Sequence, residues 1–121
     1  MSENEHVVDL LVVGSGTGMA AALAAKEQGA EVLIIEKTEL VGGSTARSGG
    51  AFWIPATTLL ARLGAKDSVD QALRYLKDVV ANTASEARWR SFVAAGDATV
   101  QMLERMTRMR FSWARGYADY H

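Results

Sequence analysis

The residues of this chain with the most chemistry in their spacing are Gly14-Ser15-Gly16-Thr17-Gly18 and, further on, Glu36. Glycines at a strand–helix turn let the backbone approach a pyrophosphate. A helix opening there aims free N–H groups and a positive dipole end at its charge. A carboxylate roughly 20 residues downstream is placed to accept hydrogen bonds from an adenosine ribose. Gly18 comes one residue earlier than the usual third glycine, and Met19 follows it. The plainer alternative is a strand–helix turn with no ligand. The acid and the complete flanking pattern favour a dinucleotide site.

These residues need a strand before the turn, a helix after it and a second strand ending in the acid. The apolar run at 7–13 supplies the first strand. A helix over about 18–28 follows, with Gly29 as its C-terminal stop. Its run of small side chains at 20–25 lets it lie close against a sheet. Residues 31–36 make the second strand, and 37–50 read as a loop. A short helix is predicted at 57–63, ending at Gly64. Ser68 and Gln71 fit a capping box opening a helix at about 69–80, with Leu73, Leu76, Val79 and Val80 as its apolar stripe. Ser85 caps a helix at 86–95, which Gly96-Asp97 is expected to break or kink. A continuation through Met106 buries Val100, Leu103, Met106 and Met102. Residues 109–113 alternate and suggest a strand. Glu86 with Arg90 and Glu104 with Arg108 have the spacing of helix-surface ion pairs.

The 121 residues leave room for one domain at most. A net charge of −1 recruits neither nucleic acid nor an acidic membrane. With no cysteine, disulfides, thiolate metal sites and cysteine nucleophiles are excluded. No apolar run approaches the length of a transmembrane segment, and the polar, acidic start is no signal peptide, so a cytoplasmic location is expected. His6 and His121 share no metal-ligand spacing and read as solvated; no metal site is expected. Two strong strands are few for a parallel sheet, which is normally buried on both faces. The expected fold is α/β, a Rossmann-like βαβ unit followed by helices, as an incomplete domain.

The second glycine segment, 42–50, discriminates further. Gly43, Gly49 and Gly50 leave backbone open to a ligand, and Ser44, Thr45 and Ser48 offer compact donors and acceptors. Arg47 adds a fixed charge. Following directly on the acid, such a segment can wrap a second part of a large polar-edged ligand. A flexible Gly/Ser linker is the alternative. Glu36 by itself suits NAD as well as FAD, because both present an adenosine ribose.

Gly14-Ser15-Gly16, Glu36-Lys37, the 42–50 segment, Trp53-Ile54-Pro55 and Gly116-Tyr117-Ala118-Asp119-Tyr120 together resemble the N-terminal part of 3-ketosteroid Δ1-dehydrogenases, flavoproteins of the fumarate reductase class. The resemblance implies a Rossmann-like FAD-binding domain holding FAD non-covalently. It implies removal of two hydrogens across C1–C2 of a 3-ketosteroid, the hydride passing to FAD and the proton to a tyrosinate-type base. Gly14, Ser15, Gly16, Thr17 and Gly18 would face the pyrophosphate and Glu36 the ribose, with Lys37 also among the cofactor-binding residues. Gly43, Ser44, Thr45, Ser48, Gly49 and Gly50 would run beside the pyrophosphate and flavin. Tyr120 matches an active-site tyrosine that supports the base. The partners implied are a small-molecule substrate and an external electron acceptor. In that family the base, the carbonyl-polarising tyrosine and the substrate domain lie far downstream, so the chain alone is expected to be catalytically silent and poorly folded. The competing readings are an NAD-binding dehydrogenase domain and a non-catalytic nucleotide-binding fragment.

Overall fold

A computed structural model of the chain describes residues 5–80 and 82–117. They divide into two units, parting between Phe52 and Trp53.

The first unit runs β1 (Leu10–Val13), α1 (Gly18–Glu27), β2 (Val32–Ile35) and α2 (Gly43–Arg47). The strands are parallel, with Leu10 opposite Val32 and Val13 opposite Ile35. Both are shorter than the spans 7–13 and 31–36 expected of them. At the entry to β1 the Asp9 carboxylate accepts the Glu31 N–H at 2.8 Å while the Asp9 and Leu10 N–H groups donate to the Glu31 carbonyl at 2.9 and 3.1 Å, and Val7 stays exposed. Helix α1 packs on both strands and covers the face carrying the buried Val12. Side chains alternate along a strand, so Leu11, Val13, Leu33 and Ile35 share the other face, which is open; Val13 is 77% exposed. Gly29, at φ 86°, ends α1 as expected. The stretch expected to be a plain loop contains α2, a single helical turn.

The second unit holds α3 (Thr58–Arg62), α4 (Val69–Val80) and α5 (Glu86–Met106). Thr57 caps α3, its hydroxyl accepting the Leu60 N–H at 3.2 Å. Ser68 Oγ accepts the Gln71 N–H at 3.2 Å. The reciprocal half of the capping box is altered: the Ser68 N–H goes to Asp67 at 2.8 Å instead of to Gln71. Helices α4 and α5 close on Ala72, Leu76, Trp89 and Val93, with Leu73, Tyr75 and Val80 against them. Val79 points outward, so the stripe runs through Ala72 rather than Val79. Ser85 stands at the N-cap of α5 without a side-chain capping bond.

Three expectations for this unit are corrected. Helix α5 is continuous through Gly96-Asp97. Gly96 is buried, and a Cβ there would lie 2.6 Å from Ile54 Cγ2, so this glycine admits a neighbour instead of breaking the helix. Asp97 caps α3, accepting the Thr58 N–H at 2.8 Å and the Thr58 hydroxyl at 2.9 Å. Residues 109–113 form no strand. The Phe111 N–H donates to Glu104 Oε1 at 3.2 Å, which uses the carboxylate expected to pair with Arg108. The Glu86–Arg90 pair does form, at 2.6 Å. Among the described residues no helix is long and apolar enough to cross a membrane.

Candidate dinucleotide site

The site lies within the first unit, where the turn after β1, the end of β2 and the start of α2 meet. Gly14 makes the turn at φ 98°, a conformation that favours glycine. Its N–H donates to the Ile35 carbonyl at 2.8 Å, which ties the turn to the end of β2. Gly18 is the first residue of α1, and a Cβ on it would stand 2.6 Å from Val12 Cγ1. That is the role of the third glycine in a dinucleotide turn, close packing of helix on strand, so the shortened spacing still serves it.

Gly16 differs from both. Its φ is not positive, and a Cβ there would meet only Thr45 Oγ1 at 3.4 Å and the Gly42 carbonyl at 3.6 Å. The fold makes no demand for glycine here. What its missing side chain provides is open backbone. The N–H groups of Gly16, Thr17 and Gly18 take no partner among the described residues, as the first N–H groups of a helix do without a ligand.

Glu36, just past β2, is held by the chain itself. Oε2 accepts the Ser15 hydroxyl at 2.6 Å and the Ser15 N–H at 3.0 Å. Oε1 accepts the Lys37 N–H at 2.8 Å and the Thr38 N–H at 3.3 Å. The Ser15 hydroxyl, then the Ser15 and Thr38 N–H groups, hold the carboxyl down at about 2 from an ordinary 4.5, against a smaller upward push from burial. A carboxylate has about four acceptor sites, and all are engaged. The long bond from Thr38 is the one a competing donor displaces first. The Thr38 hydroxyl sits 3.3 Å from Oε1 but donates better to the Leu40 carbonyl, at 2.8 Å.

Ser15 also reaches the second glycine segment. Its hydroxyl accepts the Gly42 N–H at 2.7 Å. Gly42, at φ 106°, starts α2, and the Ala46 N–H bonds back to its carbonyl at 3.0 Å. Helix α2 carries Gly43, Ser44 and Thr45, and Thr45 faces Gly16. Ser48 closes it: its hydroxyl donates to the Thr45 carbonyl at 2.8 Å and accepts the Gly50 N–H at 3.1 Å. Ser44, Ser48, Gly49 and Gly50 are exposed and form no bond to the 14–18 turn. The Lys37 side chain is exposed; its N–H is the group engaged with Glu36. Tyr120 lies outside the described residues. Gly42 and Thr38 belong to the site and escaped the sequence reading as individual residues. Gly42 was visible only as the edge of a glycine run, and Thr38 only as a hydroxyl two residues past the acid. Among the described residues no cluster of His, Cys, Asp and Glu could hold a metal ion.

A parallel βαβ unit with open N–H groups at its turn and an anchored acid after its second strand defines a dinucleotide-binding domain. The chain belongs to the FAD binding domain family, which matches residues 9–120. This decides for FAD over NAD, and the open backbone at Gly16, Thr17 and Gly18 fits its pyrophosphate. The resemblance to 3-ketosteroid Δ1-dehydrogenases is also borne out. The chain is 38% identical over 114 residues to a 3-oxosteroid 1-dehydrogenase of Mycolicibacterium smegmatis, covering 93% of this chain and 20% of that protein. It is 35% identical over 113 residues to a 4-oxocyclohexanecarboxylate 2-dehydrogenase of Sinomonas cyclohexanicum, covering 93% and 20%. The crystal structure of a 3-ketosteroid Δ1-dehydrogenase from Sterolibacterium denitrificans, in complex with 1,4-androstadiene-3,17-dione, matches with a TM-score of 0.74 at 37% identity. That match covers 81% of this chain and 17% of the other. The chain therefore spans about a fifth of the length of these relatives.

Proposed function

We propose that residues 1–121 are the N-terminal part of the FAD-binding domain of an enzyme that dehydrogenates the C1–C2 bond of a 3-ketosteroid, acting in the cytoplasm with an external electron acceptor. The observation that carries this reading is the convergence of the 14–18 turn, Glu36 and Gly42 on Ser15, which gives a two-segment cradle for FAD. The likeness to 3-oxosteroid dehydrogenases supports the substrate class.

FAD, when bound, supplies a two-electron hydride acceptor; the protein supplies binding and orientation. In this reading the N–H groups of Gly16, Thr17 and Gly18 hold the pyrophosphate. Glu36 accepts from the ribose, where a hydroxyl takes over the position of the Thr38 N–H. Gly43, Ser44, Thr45, Ser48, Gly49 and Gly50 line the pyrophosphate and flavin. Tyr120 supports a tyrosine base that the rest of the protein contributes.

The test uses the protein at its full natural length, given a 3-ketosteroid and an artificial electron acceptor. A 1,2-dehydro product is expected, together with a visible flavin spectrum that acid denaturation separates from the protein. Flavin binding without steroid turnover would overturn the substrate assignment. The 35% identity to the Sinomonas cyclohexanicum enzyme favours a second reading, a monocyclic ketone, and 4-oxocyclohexanecarboxylate in the same assay decides between them.

A further inference from the structure

Serine is mostly a surface residue, yet Ser15 is only 2% exposed. A buried hydroxyl needs partners, and this one has two. Its proton goes to Glu36 Oε2 and its lone pair receives the Gly42 N–H. Among the described residues this is the one side-chain hydrogen bond joining the 14–18 turn to the 42–50 segment. Gly42 is in turn locked to α2: a Cβ on it would lie 2.5 Å from the Ala46 Cβ. The placement of α2, with Ser44 and Thr45, is thus indexed to the same hydroxyl that orients the acid.

On the reading that FAD lies on this turn, we propose that Ser15 is a positioning residue. Its hydroxyl couples Glu36 to the second glycine segment, so that the ribose end and the α2 end of the site engage the cofactor as one unit. Replacing it with alanine leaves a buried Gly42 N–H without an acceptor and leaves Glu36 Oε2 with the Ser15 N–H alone. Such a substitution removes a single side-chain oxygen, and the two halves of the site are no longer tied together.

The experiment compares wild type, Ser15→Ala, Ser15→Thr, Ser15→Val, Glu36→Gln and Gly16→Val in the full-length protein. Two quantities are read: the FAD dissociation constant, by flavin fluorescence, and amide exchange at Gly42 in the apoprotein. Ser15→Ala is expected to weaken FAD about tenfold to a hundredfold, the size of a hydrogen bond to a charged group. It is also expected to speed Gly42 exchange at least about tenfold while α5 amides stay protected, which general destabilisation would not do. Glu36→Gln should weaken FAD with Gly42 still protected. Threonine and valine have nearly the same shape, so if Ser15→Ala fails to fold, Ser15→Thr against Ser15→Val isolates the hydroxyl, and threonine should retain both properties better. An unprotected Gly42 amide in wild type, wild-type FAD affinity in Ser15→Ala, or indistinguishable threonine and valine variants would overturn the coupling. Intact FAD binding in Gly16→Val would instead overturn the underlying placement of FAD. The Gly42 exchange data of the apoprotein stand apart from that result.

Discussion

Gly18 and Val12 approach so closely that a Cβ on the glycine would lie 2.6 Å from Val12 Cγ1. The helix–strand contact at the heart of the βαβ unit is set by that one missing methyl group. Gly18→Ala is therefore expected to destabilise the protein by about 1–3 kcal/mol through overpacking, more than the roughly 1 kcal/mol that alanine gains over glycine in a helix. Denaturant unfolding of Gly18→Ala, and of Gly18→Ala with Val12→Ala, checks this. The second change should recover part of the loss contributed by the clash.

Gly16→Val separates fold from function. The φ of Gly16 is not positive and its surroundings accept a Cβ. The apoprotein should keep amide protection in α4 and α5. Valine nevertheless fills the space over the open N–H groups of the turn, so FAD affinity should fall by at least about a hundredfold, or beyond detection. Flavin fluorescence titration beside amide exchange gives both readings.

Glu36 sets an acid limit. Its carboxyl lies at about 2 against an ordinary 4.5, chiefly through the Ser15 hydroxyl. A lowered value means that the folded state favours the ionised form. The stabilisation is complete above about pH 4.5 and is lost as pH falls toward 2. A carbon-13 titration of the Glu36 carboxyl should show a midpoint near 2, and Ser15→Ala should move it up toward 4.5. A wild-type midpoint already at 4.5 would show that the Ser15 anchor is not formed in solution.

Gly96→Ala tests the second unit. Its Cβ would meet Ile54 Cγ2 at 2.6 Å, so a loss of about 1–3 kcal/mol is expected despite better helix propensity. Thermal unfolding of Gly96→Ala alone and with Ile54→Ala measures it. A less than additive pair is the expected result.

Tyr120→Phe addresses the chemistry that resemblance assigns to it. In the full-length protein, kcat should fall about tenfold to a hundredfold, on the modest side for a group assisting proton transfer, with the FAD dissociation constant unchanged. Equal turnover by the two forms would remove Tyr120 from the active site.

The parts legible in the sequence are those set by local pattern. Gly14, Gly18 and Glu36 announced the βαβ unit because strand, turn, helix and acid follow in order, and α4 kept its expected bounds because Ser68 and Gln71 mark its start. The parts that were not legible depend on distant neighbours. Nothing near Gly96 tells that Ile54 fills its missing side chain, so it read as a helix breaker. Asp97 read as part of that break, yet it caps α3, 39 residues away. Helix α2 was hidden in a glycine run of poor helix formers. The residues at 109–113 alternated like a strand, but their polar groups turn back to Glu104 and Thr107. Ser15 showed its place in the motif, while its tie to Gly42 depends on where the second segment folds.

The bonds that assemble the site close short loops. Ser15 meets Glu36 across 21 residues and Gly42 across 27. Loop-closure entropy rises with separation, and local contacts form fast. During synthesis, which proceeds from the N-terminus at about 5–20 residues per second, every group in this cradle has emerged within a few seconds of the first. Helix α1 can dock on its strands, and Ser15 can find both partners, before the later helices exist. The Ser15 bonds that tie the nucleotide half-site together thus all fall within residues 15–42, so its assembly carries a low loop-closure cost.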